Sequence, residues 1–184
     1  MGGLDNLTKE IIENNCNWVS LSGGGDHLYN WTAHKDWYDK LYNILPQHIK
    51  IELHTSYING HLNDQNFPFD AFDRVVYHVK TTDLNELIKI KRHGNEIVRI
   101  VMIATEKLKT EDFIKMSRFV EMSSDIDELS FRQLVNSNYE TQYYNHELLS
   151  WGHRHELWHY IEQNDYNLYY AENKVSFKYE DFKQ

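Results

Sequence analysis

The chain has 184 residues, a length that indicates one compact domain, since domains average about 150 residues. Its 28 acidic and 19 basic residues leave a net charge of −9, which excludes a general binder of the nucleic-acid phosphate backbone unless the fold hides a local basic face. Hydrophobic residues make up 41% of the chain, which excludes an intrinsically disordered protein.

Short runs of β-branched and aromatic residues alternate with helical patterns along the chain. The strands are predicted at Trp18–Leu21, 49–53, Arg74–Val79, Ile97–Ala104 and 128–132. This alternation is typical of βα units and a mostly parallel sheet. We therefore expect an α/β fold with a partial (β/α) barrel-like parallel sheet, followed by a C-terminal helix and a β-hairpin.

Helices are predicted between these strands from apolar residues spaced three and four apart. One set precedes the first strand, a second precedes the next strand, and a third follows Arg74–Val79. The sets are Leu4, Leu7 and Ile11; Tyr38, Leu41, Tyr42 and Leu45; and Leu84, Leu87 and Ile88. Asp83 and Glu86 form a capping-box-like start for the third helix, and Gly94 is expected to end it. A further helix is expected to start at Thr110.

The C-terminal part has a looser pattern. We expect a Trp/His-rich helix over about 145–163 and a hairpin made of 167–171 and 174–179. The whole chain, 1–184, is interpreted as one domain, with a barrel-like part over about 7–135 and an extension over about 136–184.

Three consecutive glycines follow the first strand, and they are the most informative segment of the sequence. Gly23, Gly24 and Gly25 precede Asp26 and supply no side-chain packing, so a close approach or an unusual backbone conformation must require them. A small-molecule ligand at the end of the strand is one explanation, and a tight turn without a ligand is the other. The spacing matches neither a Walker loop nor a dinucleotide-binding fingerprint.

This segment resembles the second barrel strand of the radical S-adenosylmethionine superfamily, which typically ends in a Gly-Gly-Glu-Pro motif. Gly24-Gly25-Asp26-His27 stands in that place, with Asp for Glu and His for Pro. The resemblance continues to residue 132, with 51–56, 72–76, 98–102 and 129–133 in the places of the next four strands.

The resemblance implies that Gly23, Gly24, Gly25 and Asp26 bind the methionine moiety of S-adenosylmethionine. Further ligand-facing positions are expected where barrel strands end. The sequence has His54, Thr55, His78, Thr105, Arg132 and Gln133 at those positions, of which Thr55 and Arg132 are the cofactor-binding candidates. A strand-end residue that faces solvent or caps a helix is the alternative for each of them.

The chain departs from the family in its cysteines. The family holds a four-iron cluster with three thiolates of one loop, whereas Cys16 is the single cysteine here. We therefore expect a cofactor-binding domain without its own iron–sulfur cluster, either part of a split or truncated enzyme or a non-catalytic derivative. Without a preceding strand, Trp18–Leu21 would lie at an open sheet edge, which is expected to bind another protein or a second copy of the chain.

Two other functions stay open. His155-Glu156-x-x-His159 matches a zinc-peptidase motif, in which both histidines bind zinc from one helix, and Glu180 is the candidate third ligand. The acidic charge also fits a protein-binding inhibitor, for example a viral protein that blocks the basic cleft of a nuclease. The lone cysteine and the missing apolar run of about 18 residues predict a cytoplasmic protein that does not bind membranes.

Overall fold

The structure is a computed structural model of the chain. It describes residues 4, 6–22, 25–56, 67–80, 82–136, 140–146, 148, 158–161, 168–171 and 173–182.

α-Helices alternate with the strands of the main sheet, and four of them lie entirely within the described residues. They are α1 (Leu7–Glu13), α2 (Lys35–Ile44), α3 (Leu84–Leu87) and α4 (Thr110–Met122). The short 3₁₀ helices are Trp31–His34, Phe69–Ala71 and Tyr179–Phe182. The predicted starts of α3 and α4 are confirmed: Asp83 caps α3 by accepting a hydrogen bond from the Asn85 N–H, and the carboxylate of Asp112 accepts one from the Lys109 N–H before α4.

The main sheet is mostly parallel and curls into a half-barrel. Its strands are β1 (Trp18–Leu21), β2 (Lys50–Thr55), β3 (Arg74–Val79), β4 (Ile97–Ala104), β5 (Glu128–Val135), β6 (Thr141–Tyr143) and β7 (Trp158–Ile161). The first five pair as parallel neighbours in chain order, as expected when sequential strands lie side by side. Both β6 and β7 pair with β5, β6 antiparallel and β7 parallel. The predicted α/β class and barrel-like sheet are confirmed.

The two faces of the sheet have different environments because successive side chains of a strand point to opposite sides. One face packs against the helices to form the main core, which includes Leu53, Tyr77 and Phe131 from the strands with Leu41 and Phe113 from the helices. We call the other face the concave face, since the helices of a βα half-barrel lie outside it.

A separate hairpin follows the main sheet. It consists of β8 (Tyr169–Ala171) and β9 (Lys174–Ser176), which pair antiparallel across a turn where Asn173 has a φ of 62°. The predicted hairpin is confirmed, with shorter strands than expected.

Two helix predictions are wrong in part. The helix predicted over 145–163 does not reach its expected end, because 158–161 form β7, where Trp158, Tyr160 and Ile161 are residue types that favour a strand at the free side of β5. Gly94 does not end a helix either, because α3 stops at Leu87 and Gly94 lies in a later turn. No α-helix of the described residues is long and apolar enough to cross a membrane.

Candidate functional site on the concave face

The concave face carries ionisable side chains from four neighbouring strands. They are Lys50, Glu52 and His54 on β2, Arg74 and His78 on β3, Arg99 on β4, and Glu128 and Arg132 on β5. Four cations stand against two carboxylates, so this face is locally basic within a chain of net charge −9. The fold therefore provides the local basic face that the overall charge conceals.

Ion pairs join the strands at the amino-terminal half of this face. A guanidinium nitrogen of Arg74 lies 3.0 Å from Glu52 Oε2, and its Nε lies 3.2 Å from Glu128 Oε2. Arg99 Nε lies 2.6 Å from the same Glu128 oxygen. Each of these cations is mostly buried and has a carboxylate partner, as the cost of burying a charge requires.

Two imidazoles continue this network toward the carboxyl ends of the strands. His54 Nε2 lies 2.7 Å from Glu52 Oε1, and His54 Nδ1 lies 2.8 Å from His78 Nε2. Burial alone would raise the pKa of Glu52, but hydrogen bonds and charge from His54 and Arg74 outweigh it and lower this pKa to about 2. Burial, with His54 and Arg132 nearby, lowers the pKa of His78 to about 4. At neutral pH Glu52 is charged and His78 is neutral.

Two valines lie beside these polar residues on the concave face. Val76 and Val101 are on the same side of the sheet as His54 and His78, and both are buried although they lie outside the main core. The polar groups therefore lie next to buried apolar side chains, which reduce the access of water to the hydrogen bonds among them.

The turn after β1 is fixed to the end of β2 by one carboxylate. Asp26 accepts hydrogen bonds from Thr55 Oγ1 at 2.8 and 2.9 Å, from the Ser56 N–H at 2.6 Å and from the Leu28 N–H at 3.0 Å. The Ser56 hydroxyl adds a longer contact of 3.1 Å. Burial opposes ionisation of Asp26, yet the hydrogen bonds from Ser56, Leu28 and Thr55 outweigh it and lower the pKa of the carboxyl group. These donors occupy both oxygens of Asp26.

Of the three glycines after β1, the structure describes Gly25, which has free space on the side where a side chain would lie. Gly25 has a φ of +130°, a conformation that L-residues rarely adopt, and a Cβ placed there would meet no atom within 4 Å. Gly23 and Gly24 lie outside the described residues. Backbone conformation, rather than close packing, therefore requires the glycine at position 25.

The other predicted ligand-facing residues separate into two groups. His54, His78 and Arg132 lie on the concave face. Gln133 lies on the helix-covered face, where its side-chain amide donates to Thr141 Oγ1 at 2.7 Å. Thr105 follows β4, and its hydroxyl accepts from the Lys107 N–H at 3.3 Å, as in a local turn.

The zinc motif does not lie on one described helix. His155 and Glu156 are outside the described residues, His159 belongs to β7, and Glu180 belongs to the 3₁₀ helix Tyr179–Phe182. A zinc-binding helix needs both histidines one turn apart, which a strand beginning at Trp158 does not provide. Within the described parts of the chain, no group of three or more His, Cys, Asp or Glu side chains could hold a metal ion.

A separate groove lies away from the concave face. It has a volume of about 710 Å³ and lies between α3 and α4, where Leu84, Phe119 and Met122 contribute to its lining. None of the residues lining it belongs to the concave face, so this groove and the polar network are separate features.

Sequence reasoning missed the residues that connect the site. Glu52, Arg74, Arg99 and Glu128 carry the network, but they were not identified as candidates. The signal was the recurrence of polar residues at alternate positions, as in Glu52 and His54 or Arg74 and His78, within otherwise apolar strands.

Comparison of the chain with models of known protein families, with curated proteins and with solved structures finds no match.

Proposed function

We propose that the chain is a small-molecule-binding domain whose ligand lies against the concave face near the carboxyl ends of β1 and β2. The observation that carries this proposal is the turn at Gly25 and Asp26. No atom lies within 4 Å of the place that a Cβ at Gly25 would take, so a ligand can approach the backbone there. Asp26 fixes the turn to Thr55 and Ser56, next to a polar and locally basic face. Ligands of parallel α/β folds bind at the carboxyl ends of the strands.

S-adenosylmethionine is the ligand we propose, on the strength of the resemblance of Gly24-Gly25-Asp26-His27 to the radical S-adenosylmethionine superfamily. The open space at Gly25 fits a close approach of the ligand to the backbone. Asp26 fits less well as a direct contact of the ligand ammonium group, because both of its oxygens already accept hydrogen bonds from this chain. The proposal therefore assigns Asp26 to positioning the turn.

An iron–sulfur cluster does not fit the residues of this chain. Cys16 is its single cysteine, whereas the resembled family uses three thiolates from one loop. We propose no cluster chemistry from these residues, and any cluster would have to come from a separate segment or a partner chain.

Isothermal titration calorimetry with S-adenosylmethionine tests the proposal. We expect binding by the unaltered chain and an affinity lower by about tenfold or more in Gly25→Val, because valine is strained at this φ and fills the approach to the turn. Ser22→Ala is the matched control, since Ser22 is exposed beside the same turn. If the unaltered chain gives neither heat nor thermal stabilisation with millimolar ligand, the cofactor proposal is wrong.

Protein binding is a second candidate function because β1 lies at the edge of the sheet. Among the described residues β1 pairs with β2 alone. The Lys50 N–H donates a hydrogen bond to the Asn17 carbonyl, so Asn17 is one of the residues whose backbone groups point to β2. Because the backbone groups of successive strand residues point to opposite sides, the Trp18 and Ser20 amides point away from β2. We propose that this edge adds a strand from another chain, either a partner or a second copy.

Hydrogen exchange combined with light scattering tests the edge proposal. We expect the Ser20 amide to become protected when the chain self-associates or when a partner from the native host is added. If the chain stays monomeric, and the Trp18 and Ser20 amides exchange freely in the presence of host extract, the proposal fails.

A further inference from the structure

The contacts among Glu52, His54 and His78 form a continuous chain of hydrogen bonds across β2 and β3. Glu52 Oε1 lies 2.7 Å from His54 Nε2, and His54 Nδ1 lies 2.8 Å from His78 Nε2. The side chains of His54 and Glu52 are 7% and 13% exposed, so water competes little for these bonds. Glu52 is held in place at both oxygens, by the Ser20 hydroxyl at 3.0 Å and by Arg74 at 3.0 Å.

The carboxylate of Glu52 determines where the imidazole protons lie. An ionised carboxylate only accepts hydrogen bonds, so His54 must carry its proton on Nε2. With a single proton, on Nε2, His54 accepts at Nδ1, and His78 donates to it from Nε2. The lone pair of neutral His78 is therefore on Nδ1, for which the described residues supply no hydrogen-bond partner.

Ionisable groups of three elements act on His78 by their charge. His54 and Glu52 face it from β2, Arg132 faces it from β5, and Asp26 faces it from the turn after β1. Burial lowers the pKa of His78 to about 4, with His54 and Arg132 acting in the same direction and both carboxylates acting against them. His78 is thus neutral at neutral pH, and because a second proton on its ring is unfavourable, a proton taken up at Nδ1 requires that the Nε2 proton leave toward His54.

We propose that Glu52, His54 and His78 form a proton relay in which His78 Nδ1 is the general base toward a small anionic substrate bound on the concave face. The O–H, N–H or C–H bond of the substrate breaks, its electron pair stays on the substrate, and the proton goes to His78 Nδ1. The proton on His78 Nε2 passes to His54 Nδ1. The products are a deprotonated substrate, a neutral His78 and an imidazolium at His54 that rests against the Glu52 carboxylate.

The substrate class is proposed from the charges on the strands of the concave face, which carry four cations against two carboxylates. Near His78 itself, Arg132 acts against the carboxylates of Glu52 and Asp26, and Arg132 is the group that would stabilise negative charge as the proton leaves. The relay rests on the concave face being a ligand site, but it does not require S-adenosylmethionine to be the ligand.

The proton positions can be measured in the unaltered chain by ¹⁵N NMR of the histidine side chains at neutral pH. We expect a single ring proton on His78, at Nε2, and a proton on His54 Nε2. A His78 proton on Nδ1, or a charged His78, would overturn the proposal. This measurement needs no variant and no substrate, so its outcome is independent of whether the chain binds S-adenosylmethionine.

Diethyl pyrocarbonate, which acylates neutral imidazole nitrogens, tests the reactivity that the relay confers. Peptide mass spectrometry should find His78 modified, and Glu52→Gln should slow this modification by about fivefold or more, because the amide no longer fixes the His54 proton. Glu86→Gln is the matched control: the Glu86 carboxylate is on α3, 2.8 Å from Lys89 Nζ and outside the concave network, so the rate should stay within about twofold. An equal effect of both variants, or an unreactive His78, would mean that the three residues have a structural role alone.

Discussion

The guanidinium of Arg74 lies over the indole of Trp18, with Cζ 4.4 Å from the ring centroid. Trp18 belongs to the edge strand β1, and Arg74 belongs to β3 and binds both Glu52 and Glu128. The aromatic face thus covers the ion pairs from the open side of the sheet. The edge strand and the charged network stabilise each other through this contact.

Replacing Trp18 should therefore weaken the network as well as the edge. A double-mutant cycle of Trp18→Leu with Arg74→Gln is expected to give a coupling of about 1–2 kcal/mol in urea unfolding, the size of a partly desolvated cation–π contact. Lys50→Met is the control, because Lys50 lies over the same ring at 5.2 Å but is exposed. The interpretation is wrong if both cations couple equally to Trp18.

The carboxylate of Asp26 should be a major source of stability for the turn after β1. Asp26→Ala leaves the Thr55 hydroxyl and the Ser56 N–H without their acceptor and is expected to lower the free energy of unfolding by about 2–4 kcal/mol. Asp36→Ala, at an exposed position of α2, should change it by less than about 0.5 kcal/mol. Chemical denaturation of both variants measures the difference, and equal losses would contradict this role of Asp26.

Acid should destabilise the fold through His78 before the carboxylates take up protons. The pKa of His78 is lowered from 6.5 to about 4, so between these values the unfolded chain binds more protons than the folded chain. The contribution of His78 to the free energy of unfolding should therefore be fully present above pH 6.5. It should fall by roughly 1–3 kcal/mol as the pH approaches 4.

Unfolding curves between pH 6.5 and about 5 check this contribution in a range where most carboxylates stay ionised. His78→Gln should lose part of the slope, and His48→Gln, at an exposed position, should keep it. The same slope in all three proteins would show that His78 is not held neutral by the fold.

Glu96 should act as a structural anchor away from the concave face. It is 2% exposed and accepts hydrogen bonds from the backbone N–H groups of His93 at 2.6 Å and Gly94 at 2.7 Å. Glu96→Ala leaves two donors unpaired and should cost about 2–3 kcal/mol, whereas Glu86→Ala removes an exposed ion pair with Lys89 and should cost less than about 1 kcal/mol. Thermal unfolding compares the two, and a smaller loss for Glu96→Ala would contradict the assignment.

The strand order could be predicted from the sequence because β1 to β5 are short apolar runs separated by helical patterns. β7 could not be predicted, since Trp158, Tyr160 and Ile161 also fit the apolar side of a helix. This segment is a strand because it pairs with β5, which the local sequence does not show. The tether between Asp26 and Ser56 joins residues that are 30 positions apart, which local patterns do not reveal.

The concave network was missed for a related reason. Which polar side chains meet depends on the register between strands, for example Glu52 beside Arg74 and Arg99 beside Glu128. The sequence alone does not give this register. An offset of one residue in either pairing would move the polar side chains of the shifted strand to the opposite face.

The basic lining of an acidic molecule has a consequence for the approach of a ligand. At long range a small anion meets the repulsive potential of a chain with net charge −9, and it is attracted only near the cations of the inner strands. Physiological salt shortens the reach of such potentials to about 8 Å, which weakens the distant repulsion more than the short-range attraction. Association of an anion with this protein should therefore become faster, at first, as ionic strength rises, the opposite of the behaviour of an electrostatically steered pair.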